Sequence, residues 1–152
     1  MREITLRAYE ERDWDAIQAV HDEARMQELH YAGQDAAFLP LSIAAEREGL
    51  FEYTLCVAET DDCVRGFVAY KEGELGWLYV EKASMRRGIG RALVQYVLEH
   101  THTRPVELEV LAGNTPAIGL YTAMGFAVAG TYTGVMPGNE SFPVTVYRME
   151  KE

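Results

Sequence analysis

The sequence predicts a single α/β domain over residues 1–152, and three observations carry that reading. Strand-like and helix-like periodicities follow one another in the order β-α-α-β-β-β-α-β-α-β-β. The run over 75–111 reads strand–helix–strand, a crossover that makes part of the sheet parallel. The 152 residues, 48% apolar and 25% charged, suit one core in an ordinary globular protein.

Residues 3–8 (EITLRA) alternate polar and apolar and read as a first strand. From Glu10 to Leu29, Trp14, Ile17, Val20 and Ala24 fall at helical spacing, and Glu10, Glu11, Asp13 and Asp15 occupy the first turns, where the helix dipole favours negative charge. Residues 31–40 read as a loop and 41–48 as a short helix ending near Gly49. Strands over 53–59 and 64–70 flank Thr60-Asp61-Asp62, a hairpin signal. After a turn at 71–73 comes a third apolar run, LGWLYV at 75–80. A helix over 88–100 carries a narrow polar stripe, Arg91, Gln95, Glu99 and His102. Its other positions, including Ile89, Leu93, Val94, Val97 and Leu98, are apolar, which predicts burial on most sides. Residues 105–111 form a strand. Thr115 then serves as N-cap, Pro116 as the first helical residue, and Gly125 as a left-handed stop. Strands over 128–135 and 144–150 flank a loop, MPGNESFP, at 136–143.

Bulk properties exclude several functions. No apolar run approaches the ~18 residues of a membrane span, and the start, MREITLRAYE, lacks the apolar stretch of a signal peptide. A cytoplasmic location is expected. Cys56 and Cys63 flank a turn and could face each other across a hairpin; in a reducing compartment they read as free thiols. With no histidine at ligand spacing they make a poor metal site, and no metal is expected. A net charge of −10 argues against nucleic acid as a partner. Eight of those net charges fall in residues 1–60, whereas Lys82, Arg86, Arg87 and Arg91 cluster around a glycine turn, where they read either as solvated surface residues or as a local site for an anion.

That turn, MRRGIG at 85–90, runs straight into a helix. A helix N-terminus offers unsatisfied N–H groups and partial positive charge to a phosphate, and glycines let a ligand approach the backbone. It is neither a P-loop, since no GK[ST] follows, nor a dinucleotide fingerprint. Taken alone, Gly88 and Gly90 are equally well explained as permitting a tight turn. A second segment, NTPAIGLYTAMGF at 114–126, places Tyr121 in the second turn of a helix. On its own this is also what a plain amphipathic helix shows, with the tyrosine as core.

Together the two segments closely resemble the GNAT superfamily of acetyl-CoA-dependent N-acetyltransferases. The family turn [QR]-x-x-G-x-[GA], after a strand ending in a hydrophobic residue and Val, is matched by LYV at 78–80 and by residues 85–90. The family's N-x-x-A-x-x-x-Y-x-x-x-G-F is matched at Asn114, Ala117, Tyr121, Gly125 and Phe126. Two positions depart: Met85 stands at the [QR] position and Lys82 at a common proline. The resemblance implies a mixed, mostly antiparallel twisted sheet with a central parallel pair splayed to hold CoA, flanked by about four helices.

It further implies acetyl-CoA as co-substrate. Leu78, Tyr79 and Val80 would meet the pantetheine arm, and Met85, Arg86, Arg87, Gly88, Ile89, Gly90 and Arg91 the pyrophosphate. Asn114, Ala117 and Tyr121 would complete the carrier site, with Tyr121 also the acid that assists the departing thiolate. The segments 10–50 and 136–143 would line the acceptor side. Glu109, in an LEV segment (108–110) like that of the ribosomal-protein alanine N-acetyltransferase branch and twelve residues before Tyr121, is the candidate base. An outward carboxylate sharing a strand face with Glu107 is the other reading of Glu109. Glu74 and Glu81 are runner-up bases. The acidic first 60 residues favour a cationic amine acceptor. From a different class, a non-catalytic acyl-CoA sensor or interaction module would use the glycine turn but not Tyr121. A homodimer stays open.

Overall fold

The computed structural model describes residues 3–85 and 87–152. Its elements are β1 (Thr5–Ala8), α1 (Trp14–Tyr31), α2 (Leu41–Arg47), β2 (Thr54–Thr60), β3 (Cys63–Lys71), β4 (Glu74–Val80), α3 (Ile89–His100), β5 (Val106–Leu111), α4 (Thr115–Ala123), β6 (Ala127–Met136) and β7 (Asn139–Lys151). This is the predicted order. The strands form one seven-stranded sheet in the order β1-β2-β3-β4-β5-β7-β6. Every neighbouring pair is antiparallel except β4 and β5.

Helices cover both faces, which explains the continuous apolar runs in the central strands. In β2, Cys56 and Ala58 face the core shared with α3 and α4, while Leu55 and Val57 face the core under α1 and α2. The α3 core stripe is Ile89, Leu93, Val94 and Val97. Leu98 is only half-buried, and His102 lies beyond the helix end, so the polar face is wider than the sequence pattern predicts.

Three boundaries differ from expectation for identifiable reasons. Asp61 and Asp62 both have positive φ, 53° and 60°, so they alone form the turn of the β2–β3 hairpin and Thr60 stays in β2. Cys56 consequently lies opposite Val68 and Cys63 opposite Thr60, so the two thiols do not face each other. Both are free, Cys56 buried and Cys63 exposed. The segment 136–143 is not an open loop. Pro137 and Gly138 (φ 74°) turn the chain between Met136 and Asn139, and the rest pairs as strand. The N-cap of α4 is Asn114 rather than Thr115, because the Asn114 side chain accepts from the Ala117 N–H at 3.4 Å.

The start of α1 is tied to the sheet edge by charge. Arg7 donates to both Asp13 oxygens, at 2.7 and 2.8 Å, and its Nε donates to Glu59 at 2.8 Å. Asp13 also accepts from the Glu10 N–H, stabilising the 3₁₀ turn (Glu11–Asp13) that leads into α1. The Arg7 guanidinium holds the Asp13 carboxyl below its ordinary value despite burial. This contribution is therefore complete above the unfolded-state value of ~3.9 and is lost as pH falls further, through the folded-state value. Asp13→Asn is expected to destabilise the protein at neutral pH by roughly 2–4 kcal/mol, at or below the figure for a fully buried pair because Arg7 keeps some solvent contact. Denaturant titrations should show the gap between variant and wild type closing below that pH window.

Candidate active site

The site begins where a strand pairing stops. β4 and β5 share a single registered pair, Glu74 with Glu107, where the Glu107 N–H donates to the Gly73 carbonyl at 2.9 Å. Beyond it β4 follows β3 and β5 follows β7. The carboxyl ends of two parallel strands thus part, the place where open α/β sheets bind ligands. The resulting cleft of about 710 Å³ is lined by β4, β5 and Tyr121, by α1 and α2, and by the β6–β7 turn.

The far half of β4 is a sheet edge inside the molecule. The Glu81 N–H donates to the Arg65 carbonyl on the β3 side at 2.8 Å. By the alternation of an antiparallel ladder, Tyr79 also bonds toward β3, and the backbone groups of Leu78 and Val80 point into the opening. The side chains of Leu78 and Val80 pack on the α3 core, and that of Tyr79 on the α1–α2 core.

At the start of α3, Gly88 adopts the left-handed conformation (φ 88°, ψ 1°) as N-cap, with open space where a side chain would project. Among the described residues no side chain caps the helix, and the N–H groups of Ile89, Gly90 and Arg91 precede the first intrahelical bond, from Ala92 to Gly88. Gly90 has a packing reason as well: a Cβ there would lie 3.1 Å from Leu120 Cδ2. Met85, Arg87 and Arg91 are exposed and Ile89 is buried. Arg86 lies outside the described residues.

Tyr121 lines the cleft at 7% exposure. Its helix ends in a Schellman cap, with the Phe126 N–H donating to the Tyr121 carbonyl and the Gly125 N–H to Thr122, both at 3.0 Å. Gly125 has φ 97°, and the Phe126 ring packs on Tyr121 with centroids 5.9 Å apart. The Y-x-x-x-G-F pattern is thus a helix stop that fixes the tyrosine. Among the described residues none hydrogen-bonds its hydroxyl. Burial first, and then the charge of Glu28, raise this phenol well above its ordinary value, so it is protonated at neutral pH.

The candidate bases separate. Glu109 is exposed, lines the cleft, and shares its strand face with Glu107, which is paired to Arg148 at 2.8 Å. Glu74 also lines the cleft, and its carboxylate accepts from the Tyr53 hydroxyl at 2.5 Å. Glu81 is not brought to the cleft; it accepts from Arg65 at 3.1 Å and from Ser84 at 2.6 Å. Asn114 is buried, and its side chain is taken up by the Ala117 N–H and by Glu28; Ala117 is half-buried in the following turn.

Several cleft residues had no sequence signal. Glu28 and Arg25 stand on the polar face of an ordinary amphipathic helix, and Glu28 meets Asn114 across 86 residues. His21 is buried, its Nδ1–H donates to Asp22 Oδ1 at 2.9 Å, and its ring sits edge-on to Tyr79; burial lowers its pKa below 6.5 and keeps it neutral. Among the described residues, six carboxylates (Glu28, Glu48, Glu72, Glu74, Glu107, Glu109) and three guanidiniums (Arg25, Arg47, Arg148) line the cleft. Only Glu28 and Glu48 of these acids come from the first 60 residues; Glu10, Asp13 and Glu59 are held by Arg7 at the far sheet edge. Among the described residues no cluster of three or more His, Cys, Asp or Glu could hold a metal ion, and no helix is long and apolar enough to cross a membrane.

Known proteins are similar to this chain in sequence and in fold. The peptidyl-lysine N-acetyltransferase YiaC of Escherichia coli (strain K12) is 45% identical over 74 residues, a match spanning 47% of this chain and only 49% of that protein. The [ribosomal protein bS18]-alanine N-acetyltransferase of Salmonella typhimurium (strain LT2) is 29% identical over 117 residues, covering 74% of this chain and 71% of the relative. The crystal structure of a ribosomal-protein-alanine N-acetyltransferase from Brucella melitensis superposes with a TM-score of 0.73 at 22% identity, over 97% of this chain and 98% of that one. Residues 7–126, which run from within β1 through the glycine turn, the splayed strands and the Tyr121 helix, match the Acetyltransferase (GNAT) family, and the chain belongs to it.

Proposed function

We propose that the chain, acting as one domain over residues 1–152, transfers the acetyl group of acetyl-CoA to a primary amine by direct attack. The observation that carries this reading is the open edge of β4, Leu78 to Val80, beside a protonated tyrosine whose hydroxyl has no hydrogen-bond partner among the described residues. The pantetheine arm adds to that edge as an extra strand would. The pyrophosphate meets the N–H groups at the start of α3. The amine attacks the thioester carbonyl, whose developing oxyanion is met by a β4 N–H. As the carbon–sulfur bond breaks, Tyr121 donates to the departing thiolate. The surplus amine proton leaves to Glu109 or to water; a base is needed because a lysine-like amine has a pKa near ~10.4. A non-catalytic acyl-CoA sensor would have no use for a tyrosine held in this cleft.

Three outcomes are expected. Gly88→Glu brings a carboxylate to the phosphate seat and should abolish detectable CoA binding by calorimetry, whereas Gly88→Ala, which shares the backbone strain of positive φ but adds no charge, should retain it. Equal loss in both would reduce the effect to backbone strain. Tyr121→Phe should lower kcat by ~10²–10⁴-fold with CoA affinity little changed; a fall under about threefold would make the residue packing only. In the same assays Glu109→Gln should shift the pH dependence of kcat/KM, and an unmoved profile would pass the role to Glu74 or water.

The acceptor we propose is cationic, a polyamine or a basic peptide amine, because carboxylates outnumber guanidiniums two to one around the cleft. Such attraction acts on encounter and fades as salt screens it over about 8–10 Å. For matched cationic and neutral amines, kcat/KM should favour the cation and that preference should shrink with added salt. Equal values at every ionic strength would remove the acidic lining from substrate choice.

A further inference from the structure

Glu28, on α1, is the one side chain that reaches both walls of the cleft by hydrogen bonds among the described residues. Its Oε1 accepts from the Tyr79 hydroxyl of β4 at 3.2 Å, and its Oε2 accepts from Asn114 Nδ2, at the N-cap of α4, at 3.0 Å. The Arg25 guanidinium also donates to Oε1 and reaches Met136 Sδ at 3.4 Å. Since β4 and β5 share no registered pair beyond Glu74 and Glu107, this carboxylate replaces the missing ladder as the tie across the opening. Asn114 in turn caps the helix that carries Tyr121, whose other end is closed by Gly125 and Phe126.

We infer that Glu28 is the positioning residue of Tyr121: through Asn114 and Tyr79 it fixes the helix that presents the phenol to the cleft. The inference rests on the proposed role of Tyr121. Three donors already occupy the carboxylate, which suits it to holding structure rather than to accepting a proton from substrate. Its charge has a second effect. Of the ionisable groups facing the cleft near the phenol, namely Arg25 and Glu28 from α1, Tyr79 from β4, Glu107 and Glu109 from β5 and Arg148 from β7, Glu28 alone acts on Tyr121 by its charge, opposing phenolate formation.

The test uses the full chain with Glu28→Gln, which keeps size and one acceptor oxygen but loses the charge, and Tyr121→Phe alongside it. Expected for Glu28→Gln are a CoA affinity near wild type, a fall in kcat of about ten- to a hundredfold from misplacement of the reacting group, and an alkaline limb of the kcat–pH profile moved to lower pH. In the Tyr121→Phe background the same change should cost little more. An unchanged kcat, a fall with the alkaline limb unmoved, or a displaced acid limb, the mark of a base, would each overturn the inference. A slow Tyr121→Phe with a fully active Glu28→Gln overturns the Glu28 inference alone; a fully active Tyr121→Phe overturns both readings. Should Glu28→Gln fail to fold, Asn114→Asp, which removes the donor and places two carboxylates together, gives the same readouts with the same expected loss of kcat.

Discussion

The early end of the β4–β5 pairing is the constraint on which the rest depends. Two parallel strands that stay paired bury their backbone groups in each other; these two stay paired at one residue position and then part. Unpaired backbone inside a protein is costly unless something satisfies it. An open cleft leaves such groups accessible to solvent, and a ligand presenting its own amides can give them fixed partners. Everything around the opening fits this role. β4 is held from behind by β3, β5 by β7, and α3 starts beside Val80, with no side-chain cap among the described residues.

Holding two strands apart requires struts. Glu28 supplies a polar one on the α1 side, and the Tyr121–Phe126 pair an apolar one on the α3–α4 side. The cleft is therefore polar and net acidic toward α1 and α2 and closed by apolar packing behind. Burial shifts several of its ionisable groups toward their neutral forms. The Tyr79 and Tyr121 phenols are raised, His21 is lowered, and the Glu48 carboxyl is pushed up by desolvation even with Arg25 nearby. The lining thus combines exposed carboxylates, Glu107 and Glu109, with the buried Tyr121 phenol.

The element order, the crossover and both glycine-containing segments were legible in the sequence because each rests on local chemistry: period, caps and positive φ. The left-handed stop at Gly125 is an example, since a helix-ending glycine followed by an apolar residue has few other meanings. Boundaries moved where side chains chose partners at a distance of one or two residues, as when Asn114 displaced Thr115 as the cap. The 136–143 segment, rich in turn formers, concealed a tight Pro137-Gly138 turn within paired strand. What the sequence could not show was contact across long separations. Nothing marks Glu28 among the carboxylates of α1, or separates cleft-lining Glu74 from Glu81, which Arg65 draws away.

Hydrogen–deuterium exchange with and without CoA tests the central claim most directly, because it reads the backbone amides the claim names. The account predicts slower exchange on CoA addition at Leu78 and Val80 of β4 and at Ile89, Gly90 and Arg91 of α3, with the β3-bonded amides Tyr79 and Glu81 little changed. CoA binding that leaves those five amides unprotected, or that protects a different surface, would contradict it.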